Sequence, residues 1–184
     1  MITIEKLSED RVEAAKGLIR EYLGWIQVDL CFQHVDEELE RFPEKYKEPD
    51  GAFFIARDGE RAVGCVGLKK LDDRICEMKR LFVLDEYKGR GVGKRLVEAI
   101  IREAENKGYL RMRLDTLKRM DKALRLYRTF GFKEIAQYVE NPIEDAVFLE
   151  KELRREAEGK GITARTIDEV FKGGADARSQ GIPQ

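Results

Sequence analysis

The sequence predicts one α/β (α+β) domain, on three observations. From Met1 to about Leu153, short runs of alternating apolar residues take turns with longer runs whose apolar residues recur every three to four positions, the marks of strands and helices respectively. Two apolar runs flank Asp58-Gly59, a dipeptide suited to the tight turns of antiparallel hairpins. A glycine-rich loop from Lys88 to Arg95 joins a strand-like run to a helical one. No repeat or low-complexity linker divides residues 1–153, which read as one domain, with 154–184 as a C-terminal extension.

Taken in order, Ile2 and Ile4 alternate with Thr3 and Glu5 as a short strand. Asp10 with Glu13 three residues on predicts a capping pair, and Val12, Ala15, Leu18, Ile19 and Tyr22 continue at helical spacing. Residues 35–42 predict a short helix, and Pro43 and Pro49 mark irregular chain after it. Runs 52–56 and 61–71 form the hairpin about Asp58-Gly59. Residues 75–84 are rich in strand formers yet carry Glu77, Lys79 and Arg80 in their middle. Val92, Leu96, Ile100 and Ala104 share a helical face widened by Val97 and Ile101, and Gly108 suits the end of that helix. Leu110, Met112 and Leu114 alternate with Arg111, Arg113 and Asp115 as a strand. A second helix carries Met120, Ala123, Leu124, Tyr127 and Phe130 and stops at Gly131. Runs 132–136 and 146–153 are the last strands, separated by the turn-forming Asn141-Pro142. In the extension, Thr166 to Lys172 is one short amphipathic piece among five glycines.

Composition excludes several classes of function. The 184 residues are 39% charged, but 35 Lys and Arg against 36 Asp and Glu leave a net charge of −1, so nucleic acid is not an expected partner. Hydrophobic residues at 42% can build a core. No run approaches the ~18 apolar residues of a spanning helix, and the N-terminus lacks the pattern of a signal peptide, so no membrane association and a cytoplasmic location are expected. Cys31, Cys65 and Cys76 are odd in number with no CxxC spacing, which points to reduced core cysteines and no metal site.

Chemistry concentrates at Lys88-Gly89-Arg90-Gly91-Val92-Gly93-Lys94-Arg95. Glycines here permit a tight turn and close approach of backbone N–H groups to a ligand. Four cations at a helix N-terminus, which is itself partly positive, are misplaced unless an anion faces them; a plain turn with solvated cations is the competing reading. A nucleotide P-loop would need glycine in place of Lys88 and Ser or Thr in place of Arg95. A dinucleotide fingerprint would need glycine in place of Lys94 and a βαβ start in place of the hairpin.

Lys88-Gly89-Arg90-Gly91-Val92-Gly93 resembles the Q/R-x-x-G-x-G/A motif of the GNAT superfamily of N-acetyltransferases, with Lys for the usual Gln or Arg. CEMKRLFV, LRMRLDTL and KALRLYRTFGFKEI resemble the segments that flank the family's coenzyme site, and the order of elements to about Leu153 is similar throughout. The resemblance implies the GNAT fold: a mixed, mostly antiparallel sheet whose central parallel strands splay apart, flanked by helices, with acetyl-CoA between those strands. It implies a pyrophosphate held by N–H groups of Lys88, Gly89, Arg90, Gly91, Val92, Gly93 and Lys94. Pantetheine would pair with backbone at Leu81, Phe82 and Val83, with Leu81 N–H on the thioester carbonyl. Lys88 keeps a cation without bidentate geometry.

Glu77 stands eleven residues before Lys88, the spacing at which the histone-acetylating branch of the family places its general base. A carboxylate in a central strand is costly unless paired or useful, so a structural ion pair with Lys79, Arg80 or a neighbouring arginine is the other reading. Tyr127 matches the family's thiolate-protonating tyrosine, and its context favours that role over the other reading, a core-facing aromatic; Met120 stands where many relatives carry Asn. His34, the only histidine, reads as a surface or substrate-loop residue. Phe32, Gln33, Tyr138 and Asn141 are candidates for contact with an amine acceptor. Arg80 suits an anion on that acceptor or a solvated strand end. The resulting expectation is a metal-free transfer of acetyl from acetyl-CoA to a primary amine, Glu77 as base and Tyr127 as acid. A non-catalytic acyl-CoA sensor of the same fold is the alternative, and the small domain with its tail suits a homodimer.

Overall fold

The computed structural model describes residues 1–26 and 35–154. Cys31, Phe32, Gln33, His34 and the predicted piece Thr166 to Lys172 lie outside the described residues. The elements in chain order are β1 (Ile2–Lys6), α1 (Val12–Ile26), α2 (Val35–Glu40), β2 (Ala52–Asp58), β3 (Arg61–Lys70), β4 (Ile75–Val83), α3 (Val92–Asn106), β5 (Arg111–Leu117), α4 (Asp121–Thr129), β6 (Lys133–Ile135) and β7 (Ala146–Glu152). The seven strands form one sheet in the order β1-β2-β3-β4-β5-β7-β6. Every neighbouring pair is antiparallel except β4 and β5. Parallel neighbours need a crossover connection, and α3 supplies it.

Local sequence accounts for most of these elements. The β2–β3 hairpin closes with Asp58 opposite Arg61 and Gly59 at φ +58°, the left-handed conformation that favours glycine. The apolar face of α3 is buried as its spacing predicts: Val92, Leu96, Val97, Ile100, Ile101 and Ala104. The start of α1 differs. A 3-10 turn over Glu9–Arg11 precedes it, with Ser8 at the N-cap position, and the Asp10–Glu13 pair does not cap the helix. The Asp10 carboxylate instead pairs with Arg11 Nε at 3.1 Å, and Arg11 is also held by Glu60 at 2.6 Å.

Gly67 shows how tightly the sheet carries the chain segment that follows α2. A Cβ built there would lie 2.5 Å from Tyr46 Cε1 and 3.1 Å from Phe53 Cδ2. The Tyr46 ring cannot swing aside freely, because its hydroxyl donates to Glu38 Oε1 at 2.8 Å and the ring packs against Phe42 and Phe53. Gly67→Ala is therefore expected to destabilise the domain by about 1–3 kcal/mol, as overpacking of a filled core does. Urea unfolding would read this as a lowered midpoint with an unchanged slope.

Candidate active site

The site begins where the sheet opens. β4 and β5 pair only from Ile75 opposite Arg111 to Glu77 opposite Arg113, although both strands continue. Beyond Glu77 they separate, leaving a V between them. On its other side β4 stays paired with β3, but the register shifts so that Arg80 and Leu81 together oppose the single residue Val66. This is a β-bulge, which bends a strand and re-aims its backbone. Arg80 has φ +56°, a left-handed conformation that costs a non-glycine residue about 1–3 kcal/mol and persists only where its surroundings enforce it.

Those surroundings are a buried ionic cluster. Arg80 Nε donates to Glu38 Oε1 at 2.8 Å and Nη2 to Glu38 Oε2 at 3.1 Å, while Cys65 Sγ lies 3.3 Å from the Arg80 carbonyl oxygen. Burial alone would raise the Glu38 pKa, but hydrogen bonds and charge from Arg80 overcome it and hold the carboxyl below its ordinary value. Burial, with the Glu38 charge adding to it, pushes the Tyr46 phenol well up. Arg80 is therefore not a solvated strand-end residue, and its carboxylate partner is Glu38, not Glu77.

Glu77 lies at the point of divergence and is almost wholly buried. Tyr138 Oη donates to its Oε1 at 2.7 Å. Two ammonium groups stand off at 3.7 Å, Lys69 from the opposing position on β3 and Lys79 from two residues along β4. Tyr138 is fixed by a T-shaped contact with Phe148 and by the Arg113 guanidinium over its ring. Burial, then the adjacent Glu77 charge, raises its pKa far above the ordinary phenol value, which keeps it a hydrogen-bond donor. Lys79 spans the opening to Asp115 on β5 at 3.0 Å, and Asn141 Nδ2 donates to the other Asp115 oxygen at 3.1 Å. The sequence-derived pair Tyr138 and Asn141 thus reaches this place through these two carboxylates.

Glu77, Lys69, Lys79 and Asp115, with the Glu38–Arg80 pair, line a cavity of about 210 Å³. Its wall carries the carboxylates Glu38, Glu77, Asp115 and Glu140 and the cations Lys45, Lys69, Lys79 and Arg80. Sequence reading missed Glu38, Lys45, Tyr46, Lys69 and Asp115 as site residues. An arginine within an otherwise apolar strand signals a buried carboxylate partner, but the acid-rich stretch from Asp36 onward offers several.

At the other end of β4, a 3-10 turn over Asp85–Tyr87 leads into the glycine loop. Gly89 and Gly91 have φ +79° and +78°. Gly91 is the N-cap of α3 and makes no side-chain cap, so the first-turn N–H groups of α3, at Val92, Gly93 and Lys94, point out of the helix as donors. The loop's cations behave differently from the sequence expectation. Lys88 pairs with Asp85 and stacks on Trp25 at 4.2 Å. Arg90 lies over the Tyr87 ring at 4.9 Å, Lys94 pairs with Glu98 at 3.8 Å, and Arg95 donates to the Ile2 carbonyl at 2.9 Å. Each of the four has a partner within the chain, so they do not by themselves require an anion. Backbone N–H groups are the donors that the loop presents at the start of α3.

Tyr127, near the end of α4, is buried and packs edge-on against Phe132 at 5.8 Å. Burial first, and the neighbouring Tyr22 and Asp115 next, raise its pKa well above the ordinary phenol value, so it keeps its proton at neutral pH. Met120 is the N-cap of the same helix and accepts a contact from Thr116 Oγ1 at 3.4 Å. Cys65 and Cys76 are free and buried, and burial pushes the Cys65 thiol up to about 12. No helix among the described residues is long and apolar enough to cross a membrane.

The model of the acetyltransferase (GNAT) family matches residues 19–132. The chain belongs to that family. It is 41% identical over 156 residues to an uncharacterised N-acetyltransferase of Schizosaccharomyces pombe, covering 84% of this chain and 95% of that protein. A Dictyostelium discoideum protein of the same description is 31% identical, over 79% of this chain and 96% of its own. Among solved structures, a GNAT-family acetyltransferase of Staphylococcus aureus superposes with TM-score 0.71 at 23% identity, covering 84% of this chain and 100% of that one. The PaiA N-acetyltransferase of Thermoplasma acidophilum, solved with coenzyme A, gives 0.65 at 24% identity over 83% and 99%. The fold is the mixed, mostly antiparallel GNAT sheet flanked by helices.

Proposed function

We propose that this protein transfers acetyl from acetyl-CoA to a primary amine by direct attack in a ternary complex. The observation that carries the reading is the opening of β4 from β5 at Glu77, with a donor-rich glycine loop at one end and a charged cavity beside it. The N–H groups of the loop from Lys88 to Lys94 hold the pyrophosphate. Pantetheine pairs with the backbone of Leu81, Phe82 and Val83, and the bulge turns Leu81 N–H toward the thioester carbonyl to stabilise its developing oxyanion.

The amine must arrive neutral to attack. Glu77, held by the Tyr138 hydroxyl, takes its proton directly or through water, and the ammonium groups of Lys69 and Lys79 at 3.7 Å disfavour a further cation there. The C–N bond forms as the amine nitrogen attacks the carbonyl carbon. The C–S bond then breaks, and the departing thiolate takes the Tyr127 proton. The buried, high-pKa thiols of Cys65 and Cys76 are poor nucleophiles, which favours direct transfer over an acyl-cysteine among the described residues.

Free-thiol release from acetyl-CoA against a panel of amines tests the reading. Amine-dependent release is expected, and Tyr127→Phe, which preserves the packing on Phe132, lowers kcat by about 10²-fold. Tight CoA binding, seen as a rising thermal midpoint, without release on any amine would support the acyl-CoA sensor instead.

A further inference from the structure

We propose that the acceptor is an amine bearing its own carboxylate, a free amino acid or a zwitterion of that size, with Lys45 and Lys69 as the residues that read the carboxylate. This rests on the acetyl-transfer reading and names the acceptor of that same cavity.

Of the four lining carboxylates, Glu140 is exposed at the rim and the other three lie deep. The side chains of Glu38, Glu77 and Asp115 are 4%, 3% and 10% exposed. Two of the four cations, Arg80 at 3% and Lys79 at 15% exposed, are committed to them: Arg80 hydrogen-bonds Glu38, and Lys79 hydrogen-bonds Asp115. Lys45 and Lys69 are different. They stand at the mouth, 41% and 39% exposed, and reach Glu38 and Glu77 only at 3.6 and 3.7 Å. Those are charge contacts without hydrogen bonds, whereas an ammonium carries three donors.

An amine that must lose its charge beside Glu77 brings no charged group with which to bind. An apolar body would desolvate a lining built of eight charged side chains and return no hydrogen bonds to it. A carboxylate carried by the acceptor resolves both difficulties, since it supplies a charge-assisted hydrogen bond to the mouth lysines while the amine goes deep. The spacing sets the scale: Lys69 Nζ is 3.7 Å from Glu77 Oε2, so the sites for anion and amine are a few bonds apart, as in an amino acid. The cavity of about 210 Å³ lies below the range of about 300–1,000 Å³ usual for larger ligands.

The test compares free amino acids with their carboxamides and with the amines that lack the carboxylate, each assayed with acetyl-CoA. The amino acids are expected to show kcat/KM values about tenfold or more above their uncharged counterparts, the effect of one charge-assisted hydrogen bond. In the double variant Lys45→Met/Lys69→Met that ratio falls toward one, through a raised KM for the amino acid. Both lysines are partly exposed, and a thermal melt verifies that the variant folds. Equal rates for carboxylates and carboxamides, a ratio unmoved in the double variant, or preference for a peptide N-terminus would each overturn the proposal while leaving acetyl transfer standing. Turnover of no amine at all would instead remove the acetyl-transfer reading, and this proposal with it.

Discussion

In Glu77→Gln, acetyl transfer is expected to fall by about 10²-fold or more at neutral pH, the usual contribution of a positioned general base, with the domain still folded. The substitution keeps the shape of the side chain and an oxygen for the Tyr138 hydroxyl to bond. It also leaves Lys79 with Asp115 at 3.0 Å and Lys69 facing solvent. What is lost is the capacity to accept a proton. Initial rates across pH with a thermal melt alongside separate the two roles that the sequence left open. A rate within twofold of the wild type would leave Glu77 a structural anion for Lys69 and Lys79. A loss that shrinks at high pH, where the amine arrives already neutral, is the signature of the base.

Glu38→Gln is expected to cost about 3–5 kcal/mol of stability, because it leaves the buried Arg80 guanidinium without its carboxylate. The effect should extend to activity, since the same pair enforces the left-handed Arg80 and hence the bulge beside Leu81. The pH dependence has a definite sign. The Glu38 carboxyl titrates below its ordinary value of 4.5 in the folded protein, so its contribution is present above that value and is lost as pH falls through the lower, folded one. The stability gap between wild type and Glu38→Gln, measured by urea unfolding, should therefore be full at neutral pH and narrow in acid. A gap of under 1 kcal/mol at neutral pH would show that the pair does not hold the bulge.

Features encoded by neighbours in sequence were legible, and features made by distant partners were not. The period of α3 and the Asp58-Gly59 turn are local, and both appear as their patterns predict. So does the glycine loop, where Gly89 and Gly91 take the positive φ that only glycine adopts readily. Of the loop's cations, Lys88 and Arg95 reach Trp25 and the Ile2 carbonyl, tertiary contacts that the local pattern does not show, while Arg90 and Lys94 engage Tyr87 and Glu98 three and four residues away. Glu77 stood out as a charge in a central strand, but its partners came from β3, from further along β4 and from Tyr138. Arg80 offered no sign of its left-handed backbone, which depends on a carboxylate 42 residues away. The capping pair at Asp10 and Glu13 is an exception among local features: the 3-10 turn over Glu9–Arg11 places the N-cap at Ser8, and the Asp10 carboxylate turns to its neighbour Arg11.

Direct transfer at the opening between β4 and β5 requires that acetyl pass to the amine without residing on the protein. Single-turnover reaction with isotopically labelled acetyl-CoA and an amine, followed by mass measurement of both protein and small molecules, tests it most directly. Labelled acetyl is expected on the amine at a rate that Glu77→Gln and Tyr127→Phe each reduce, with the protein mass unchanged throughout. Label that appears first on the protein and only then on the amine, or that reaches the amine equally fast in both variants, would contradict it.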